Sequence, residues 1–185
     1  MLENETSTNE FDLSSVRAAG FGIRLAAYLI DFLILLIPTV GAYFMNSVAG
    51  YLLLAIPMIA YKPLLDGTLG GTAGKLALGI RVINASGQHL GIAGGFVRSG
   101  LFILPSIPGI VTQIKMIEQG IPKMDPEAIA AFQEANSMLN IASYVFIAIM
   151  IVSCIVVAFH KQKRGLHDLI ADSYVIYLDK PLPKQ

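Results

Sequence analysis

Residues 21 to 45 read FGIRLAAYLIDFLILLIPTVGAYFM, and this stretch decides the fold class. At about 1.5 Å per residue, a helix of this length crosses the roughly 30 Å hydrocarbon core of a bilayer. Further apolar runs follow along the chain, so the sequence predicts an all-α membrane protein with four transmembrane helices. The predicted spans are residues 21–45, 48–63, 94–114 and 140–159.

The composition of the whole chain agrees with a membrane protein. Of its 185 residues, 55% are hydrophobic and 14% are charged, whereas soluble domains carry about 25% charged residues. The formal net charge is zero, so we expect no nucleic-acid partner. The single cysteine, Cys154, lies within an apolar run, which excludes an intrachain disulfide and a thiol-rich metal site.

The segment between the second and third spans changes character, because nine of the thirty residues from 66 to 95 are glycine. Within it, IRVIN at 80–84 and QHLGI at 88–92 flank a three-residue turn, a pattern that fits a small β-hairpin. The glycines also favour close backbone approach between this segment and the bundle. We therefore expect a structured glycine-rich loop outside the hydrocarbon core.

Polar segments occupy the remaining parts of the chain. Residues 1–17 are predicted to be a disordered tail, and residues 179–185 a short C-terminal tail. Residues 115–137 form an insertion in which Asp125, Pro126 and Glu127 signal the start of a short surface helix.

The distribution of basic residues predicts the orientation of the spans. With four spans, eleven of the thirteen Lys and Arg residues fall on one side and two fall on the other. The two are Lys115 and Lys123, both in the insertion. The positive-inside rule therefore places both termini and the glycine-rich loop in the cytoplasm, and the insertion on the far side.

The first span carries two ionisable residues on one helical face. Asp31 lies about ten residues into the span, where a carboxylate costs about 2.5 kcal/mol or more unless it is paired or hydrated. Arg24 precedes it by two helical turns, and Tyr28 lies between them. A structural charge network that fixes helix packing and a proton or cation pathway both explain this pattern.

The segment after the last span, RGLHDLIADSYVIYL, carries a second candidate group. Asp168 begins a short amphipathic turn, and residues 174–178 read as a strand. Because the predicted orientation places them on one side, Asp168 could join a network with Arg24, Arg81 or Arg98. The neighbouring His167 belongs to no established metal-ligand spacing, so no metal site is predicted.

These features together resemble the RDD family. The resemblance rests on Arg24 and Asp31, on GTAGKLALGIRVINASG in the loop, on Arg98 at the start of a span, and on GLHDLIADSYVI near the C-terminus. It covers one transmembrane domain at 18–178. It implies that the arginine and two aspartates of the family name are Arg24, Asp31 and Asp168, with Asp66 as a rival for the second aspartate. It also implies a multi-pass protein of the bacterial inner membrane.

The resemblance and the charged residues together give two hypotheses for function. The first is a small transporter that exchanges monovalent cations for protons, and the second is a non-transporting scaffold or accessory subunit. No nucleophile or cofactor pattern is present, so neither an enzyme nor a cofactor is expected. Lipids and a homo-oligomer or partner subunit are the expected partners. Arg24, Asp31 and Asp168 are the candidate coupling residues, and the secondary polar network comprises Tyr28, Asp66, Lys75, Arg81, Arg98 and His167.

Overall fold

The computed structural model describes residues 16–178, and the parts of both predicted tails at 1–15 and 179–185 lie outside the described residues. Within the described part, the elements follow in the order α1 (Phe21–Tyr43), α2 (Val48–Thr68), α3 (Ala73–Ala77), β1 (Ile80–Asn84), α4 (Gly91–Glu118), α5 (Pro126–Ala135), α6 (Ser137–Phe159), α7 (Leu166–Ile170) and β2 (Ser173–Tyr177). Helices α1, α2, α4 and α6 are long and apolar enough to cross a membrane. The predicted all-α membrane fold is therefore confirmed.

The four long helices pack side by side, with α2 between α1 and α4, and α6 against α4. Successive long helices run in opposite directions. Their ends at Phe21, Thr68, Gly91 and Phe159 therefore meet at one end of the bundle, together with β1 and β2; we call this the sheet end. The opposite end carries the α5 helix, and we call it the α5 end.

Strand β1 coincides with the predicted IRVIN strand, but the predicted hairpin is wrong. Its partner is β2, which pairs antiparallel with it from Ile80 opposite Tyr177 to Asn84 opposite Ser173. The QHLGI segment forms no strand and leads directly into α4. The physical reason is burial, because β2 brings the apolar side chain of Val175 into the core, whereas QHLGI begins with two polar side chains.

Helix α3 shows the close backbone approach that the glycine-rich sequence predicts. A Cβ atom at Gly74 would lie 2.1 Å from the carbonyl oxygen of Ala27 in α1. Only glycine allows α3 to contact α1 this closely. The contact brings the start of α3 beside the interior of the first span, next to Asp31.

The helix bounds differ from the sequence prediction at several ends. Helix α2 continues to Thr68, because Pro63 is accommodated within it, and α4 runs unbroken from Gly91 across both of its prolines. Helix α5 begins at Pro126 as predicted, since the Asp125 side chain accepts hydrogen bonds from the amides of Glu127 and Ala128. The segment between α4 and α6 is consequently shorter than the predicted insertion.

The contact between α2 and α4 yields a test through a pair of glycines in α4. A Cβ atom at Gly95 would lie 2.1 Å from the carbonyl oxygen of Pro63, whereas a Cβ atom at Gly100 would meet nothing within 4 Å. We expect Gly95→Ala to lower the free energy of unfolding by about 1–3 kcal/mol through overpacking. Gly100→Ala should preserve it or raise it by up to about 1 kcal/mol. Thermal unfolding in detergent compares the two variants, and equal stabilities would contradict the close contact.

Candidate functional site

Five charged side chains meet inside the sheet end, and we call them the ion cluster: Arg24, Asp66, Lys75, Arg98 and Asp168. All five are buried. They form one continuous chain of ion pairs in the order Arg24, Asp168, Arg98, Asp66, Lys75. Five elements are thereby tied together, because these residues belong to α1, α2, α3, α4 and α7.

The Asp168 carboxylate accepts four hydrogen bonds, one more than the Asp66 carboxylate. Its Oδ2 atom accepts from Arg24 Nη1 at 2.5 Å and from the Gly165 amide at 2.9 Å. Its Oδ1 atom accepts from Arg98 Nη2 at 2.5 Å and from Arg98 Nε at 3.1 Å. Burial favours a higher pKa for Asp168, but the positive charges of Arg98 and Arg24 and the Gly165 amide outweigh burial and hold the pKa well below its usual range.

Asp66 forms the second node of the ion cluster. Arg98 Nη1 donates to its Oδ2 atom at 2.5 Å, and Lys75 Nζ lies 2.6 Å from both carboxylate oxygens. Burial lowers the pKa of Lys75 to about 8, because the attraction of Asp66 only partly offsets the lost hydration. Arg98 thus joins the two carboxylates and is itself only 1% exposed.

Asp31 lies apart from the ion cluster. Its Oδ1 atom accepts hydrogen bonds from Tyr61 OH and the Gly74 amide, each at 2.8 Å, and its Oδ2 atom accepts one from Thr72 Oγ1 at 2.6 Å. Among the residues that the structure describes, no basic side chain forms an ion pair with Asp31. Although Arg24 and Asp31 lie on one face of α1, they therefore belong to two different sites.

A sequence model described as the RDD family matches residues 18–172 of the chain. The chain belongs to the RDD family. No curated protein matches the chain, and no solved structure matches it. Of the charged residues that the resemblance selects, Arg24 and Asp168 are thus in direct contact in this RDD protein, and Asp31 contacts neither.

Only some of the other residues of the predicted polar network belong to the ion cluster of this RDD protein. Asp66, Lys75 and Arg98 belong to the ion cluster, as described above. Arg81 does not, since its Nη1 atom donates to the carbonyl oxygen of Leu69 at 3.4 Å. Tyr28 does not belong to it either; its hydroxyl group accepts a hydrogen bond from Lys62 at 2.5 Å.

His167 lies beside the ion cluster without belonging to its chain of ion pairs. Its Nδ1 atom is 3.0 Å from Ser153 Oγ, and its Nε2 atom is 3.4 Å from an Asp168 oxygen. Burial lowers the pKa of His167 to about 2, so the ring is neutral at physiological pH. Across residues 16–178, no group of three or more His, Cys, Asp and Glu side chains is arranged to hold a metal ion.

Sequence reasoning missed three polar side chains near these sites. Tyr61 and Thr72 donate to Asp31, and both come from a different part of the chain than the span that carries it. Lys62 precedes Asp66 by four residues on α2, and this i, i+4 spacing was the available signal that both lie on one helical face.

The ion cluster predicts unequal effects for two aspartates that are close in sequence. Asp168→Ala leaves Arg24 and Arg98 without a shared buried partner, so we expect the free energy of unfolding to fall by about 3–5 kcal/mol. Asp172 pairs with Arg164, but its side chain is 70% exposed. Asp172→Asn should therefore cost less than about 1 kcal/mol, because asparagine tolerates the positive φ of 41° at this position. Unfolding in detergent measures both losses, and a small loss for Asp168→Ala would refute a structural role of the ion cluster.

Proposed function

We propose that this RDD protein exchanges monovalent cations for protons, with Asp31 as the group that binds them. The observation that carries the proposal is a carboxylate within a predicted span that has hydroxyl partners and no ion pair among the described residues. Such a carboxylate can bind a proton or a cation, because either one removes the cost of an unpaired charge at low dielectric. The two ions would therefore compete for Asp31.

The surroundings of Asp31 offer further oxygen atoms for a cation. The hydroxyl groups of Tyr61 and Thr72 lie 2.8 and 2.6 Å from its two carboxylate oxygens. Membrane proteins commonly replace the hydration shell of a monovalent cation with protein oxygens. In the cation-bound state, these hydroxyl groups would rotate their hydrogens away and present lone pairs to the ion.

The ion cluster has a positioning role in this proposal. Asp168 is paired with two arginines, and these charges keep its pKa well below the usual range. A group that stays ionised near neutral pH does not carry protons there, which argues against Asp168 as the exchanging carboxylate. Lys75 follows Gly74 directly, so its ion pair with Asp66 holds the start of α3 against Asp31.

The alternative function is a non-transporting scaffold or accessory subunit. The observation that favours it is the complete pairing of both carboxylates in the ion cluster, which suits a fixed structure. Helix α6 also exposes most of its apolar side chains. In either function, we expect lipids and a second copy or partner subunit against this surface, and we expect no enzymatic activity.

The proposed orientation in the cell membrane is testable with single cysteines. In a Cys154→Ser background, Ser86→Cys lies in the exposed turn after β1, and Met124→Cys lies in the exposed segment before α5. With both termini in the cytoplasm, an impermeant maleimide added to intact cells should label Met124→Cys alone. Ser86→Cys should react only after permeabilisation. The opposite labelling pattern would reverse the proposed orientation.

The exchange proposal predicts that Asp31→Asn abolishes cation-driven proton flux. Proteoliposomes containing only this protein would be given sodium, potassium or lithium under an imposed pH gradient. Asp172→Asn removes an exposed carboxylate and should transport like the wild type.

Thr72→Val removes one proposed oxygen ligand and should raise the cation KM at least about tenfold, the effect of losing about 1.4 kcal/mol, whereas Thr72→Ser should not.

Cooperative thermal unfolding of each variant would separate lost exchange from lost folding. Full flux in a folded Asp31→Asn variant would remove Asp31 from the mechanism. Absence of flux in folded wild-type protein would favour the scaffold. The scaffold in turn predicts that Arg24→Ala lowers the folded yield and the recovery of partner proteins together.

A further inference from the structure

A cavity of about 520 Å³ lies between α1, α2 and α4. It extends from Tyr28 and Lys62 toward the sheet end to Tyr43 and Gln113 toward the α5 end. The distance along α1 from Tyr28 to Tyr43 is about 22 Å at about 1.5 Å per residue. The volume of the cavity lies within the range of roughly 300–1,000 Å³ that is typical of small-molecule sites. The apolar part of its wall includes Leu35, Ala55, Met58, Ile59, Ile103 and Ile110.

The cavity has one positively charged end, and the rest of its wall is mostly apolar. Lys62 Nζ donates to Tyr28 OH at 2.5 Å and lies 3.0 Å from the centre of the Phe102 ring. In the described part of the chain, no carboxylate oxygen lies within 4.0 Å of this nitrogen. Aromatic faces attract an ammonium group but carry no net negative charge. Among the described residues, Lys62 therefore has no direct counter-anion.

The neighbouring charges strengthen the attraction for an anion. The ion cluster contains three basic and two acidic side chains. Lys62 lies one helical turn from Asp66, and Asp31 accepts a hydrogen bond from the Gly74 amide next to Lys75, so the combined set has four basic and three acidic side chains. An excess of positive charge away from water is unfavourable unless an anion is supplied.

A buried hydroxyl group at the same end also has no hydrogen-bond partner in the part of the chain that the structure describes. Ser99 Oγ borders the cavity, its residue is fully buried, and it forms no hydrogen bond with residues 16–178. Tyr28 OH accepts a hydrogen from Lys62 and so retains its own hydrogen for an external acceptor. Two hydroxyl donors and one ammonium group thus border one end of an apolar cavity, which suits the phosphate oxygens of a lipid.

We propose that this cavity binds one acyl chain of an anionic phospholipid, with the lipid phosphate at Lys62, Tyr28 and Ser99. Lys62 precedes the end of α2 at Thr68 by six residues, which is about 9 Å. A lysine at that depth reaches the boundary between headgroups and acyl chains. The chain then extends toward the α5 end. Asp31 does not line this cavity, so lipid binding is separate from the proposed exchange.

The test measures how strongly the purified protein prefers an anionic lipid over a neutral one. Native mass spectrometry would count bound lipids in detergent supplied with equal amounts of phosphatidylglycerol and phosphatidylcholine. Lys62→Met should reduce the preference for phosphatidylglycerol about fivefold, the contribution of one basic residue near an anionic lipid. Lys161→Met removes an exposed charge beyond the end of α6 and should change the preference less than twofold.

A second variant tests the apolar part of the cavity, away from Lys62. Gly109 borders the cavity, and a Cβ atom there would meet nothing within 4 Å. Gly109→Leu should therefore occupy the position of the acyl chain and reduce the binding of phosphatidylglycerol, while cooperative unfolding is retained.

Three results would overturn the proposal. The first is an unchanged lipid preference in folded Lys62→Met. The second is an equal loss in Lys161→Met, which would indicate diffuse attraction at the membrane surface. The third is Lys62-dependent binding of an added long-chain fatty acid without binding of phosphatidylglycerol, which would assign the cavity to a different occupant.

Discussion

Asp168 is shared by two buried arginines, Arg24 at the start of α1 and Arg98 near the start of α4. Neither arginine can remain unpaired at low dielectric without a cost of several kcal/mol, and the same holds for the carboxylate. Satisfying all three places the Asp168 side chain, at the start of α7, between the two arginines. Arg98 then reaches Asp66, which positions the end of α2, and Asp66 fixes Lys75 and the start of α3. The geometry of the sheet end follows from this one set of constraints.

The membrane-spanning part of the fold could be predicted from the sequence because it depends on local composition. Long apolar runs and the positions of basic residues require no knowledge of tertiary contacts. The sequence also predicts the strand at 80–84, but it does not predict which segment pairs with that strand. Its actual partner lies almost a hundred residues later in sequence, and the choice depends on which segment brings apolar side chains to the core.

The candidate site could be predicted only as a set of residue types. Helical spacing correctly places Arg24 and Asp31 on one face, and both are buried. Their partners come from distant segments: Asp168 approaches Arg24 after the last span, whereas Thr72 and Gly74 approach Asp31 through the packing of α3 on α1. Spacing within one helix contains no information about these neighbours. For the same reason, the position of Lys62 in the sequence does not predict the cavity that Lys62 borders.

The separation of Arg24 and Asp168 by 144 residues has a consequence for biogenesis. Synthesis proceeds from the N-terminus at about 5–20 residues per second, so α1 leaves the ribosome seconds to tens of seconds before its ion-pair partner. During that interval Arg24 must be hydrated at the membrane surface. A chain that stops before Asp168 retains every apolar span, but among the described residues Arg24 then has no ion-pair partner and Arg98 keeps only Asp66. Synthesis of the segment that carries Asp168 thus neutralises a charge that a chain without this segment would retain at the sheet end.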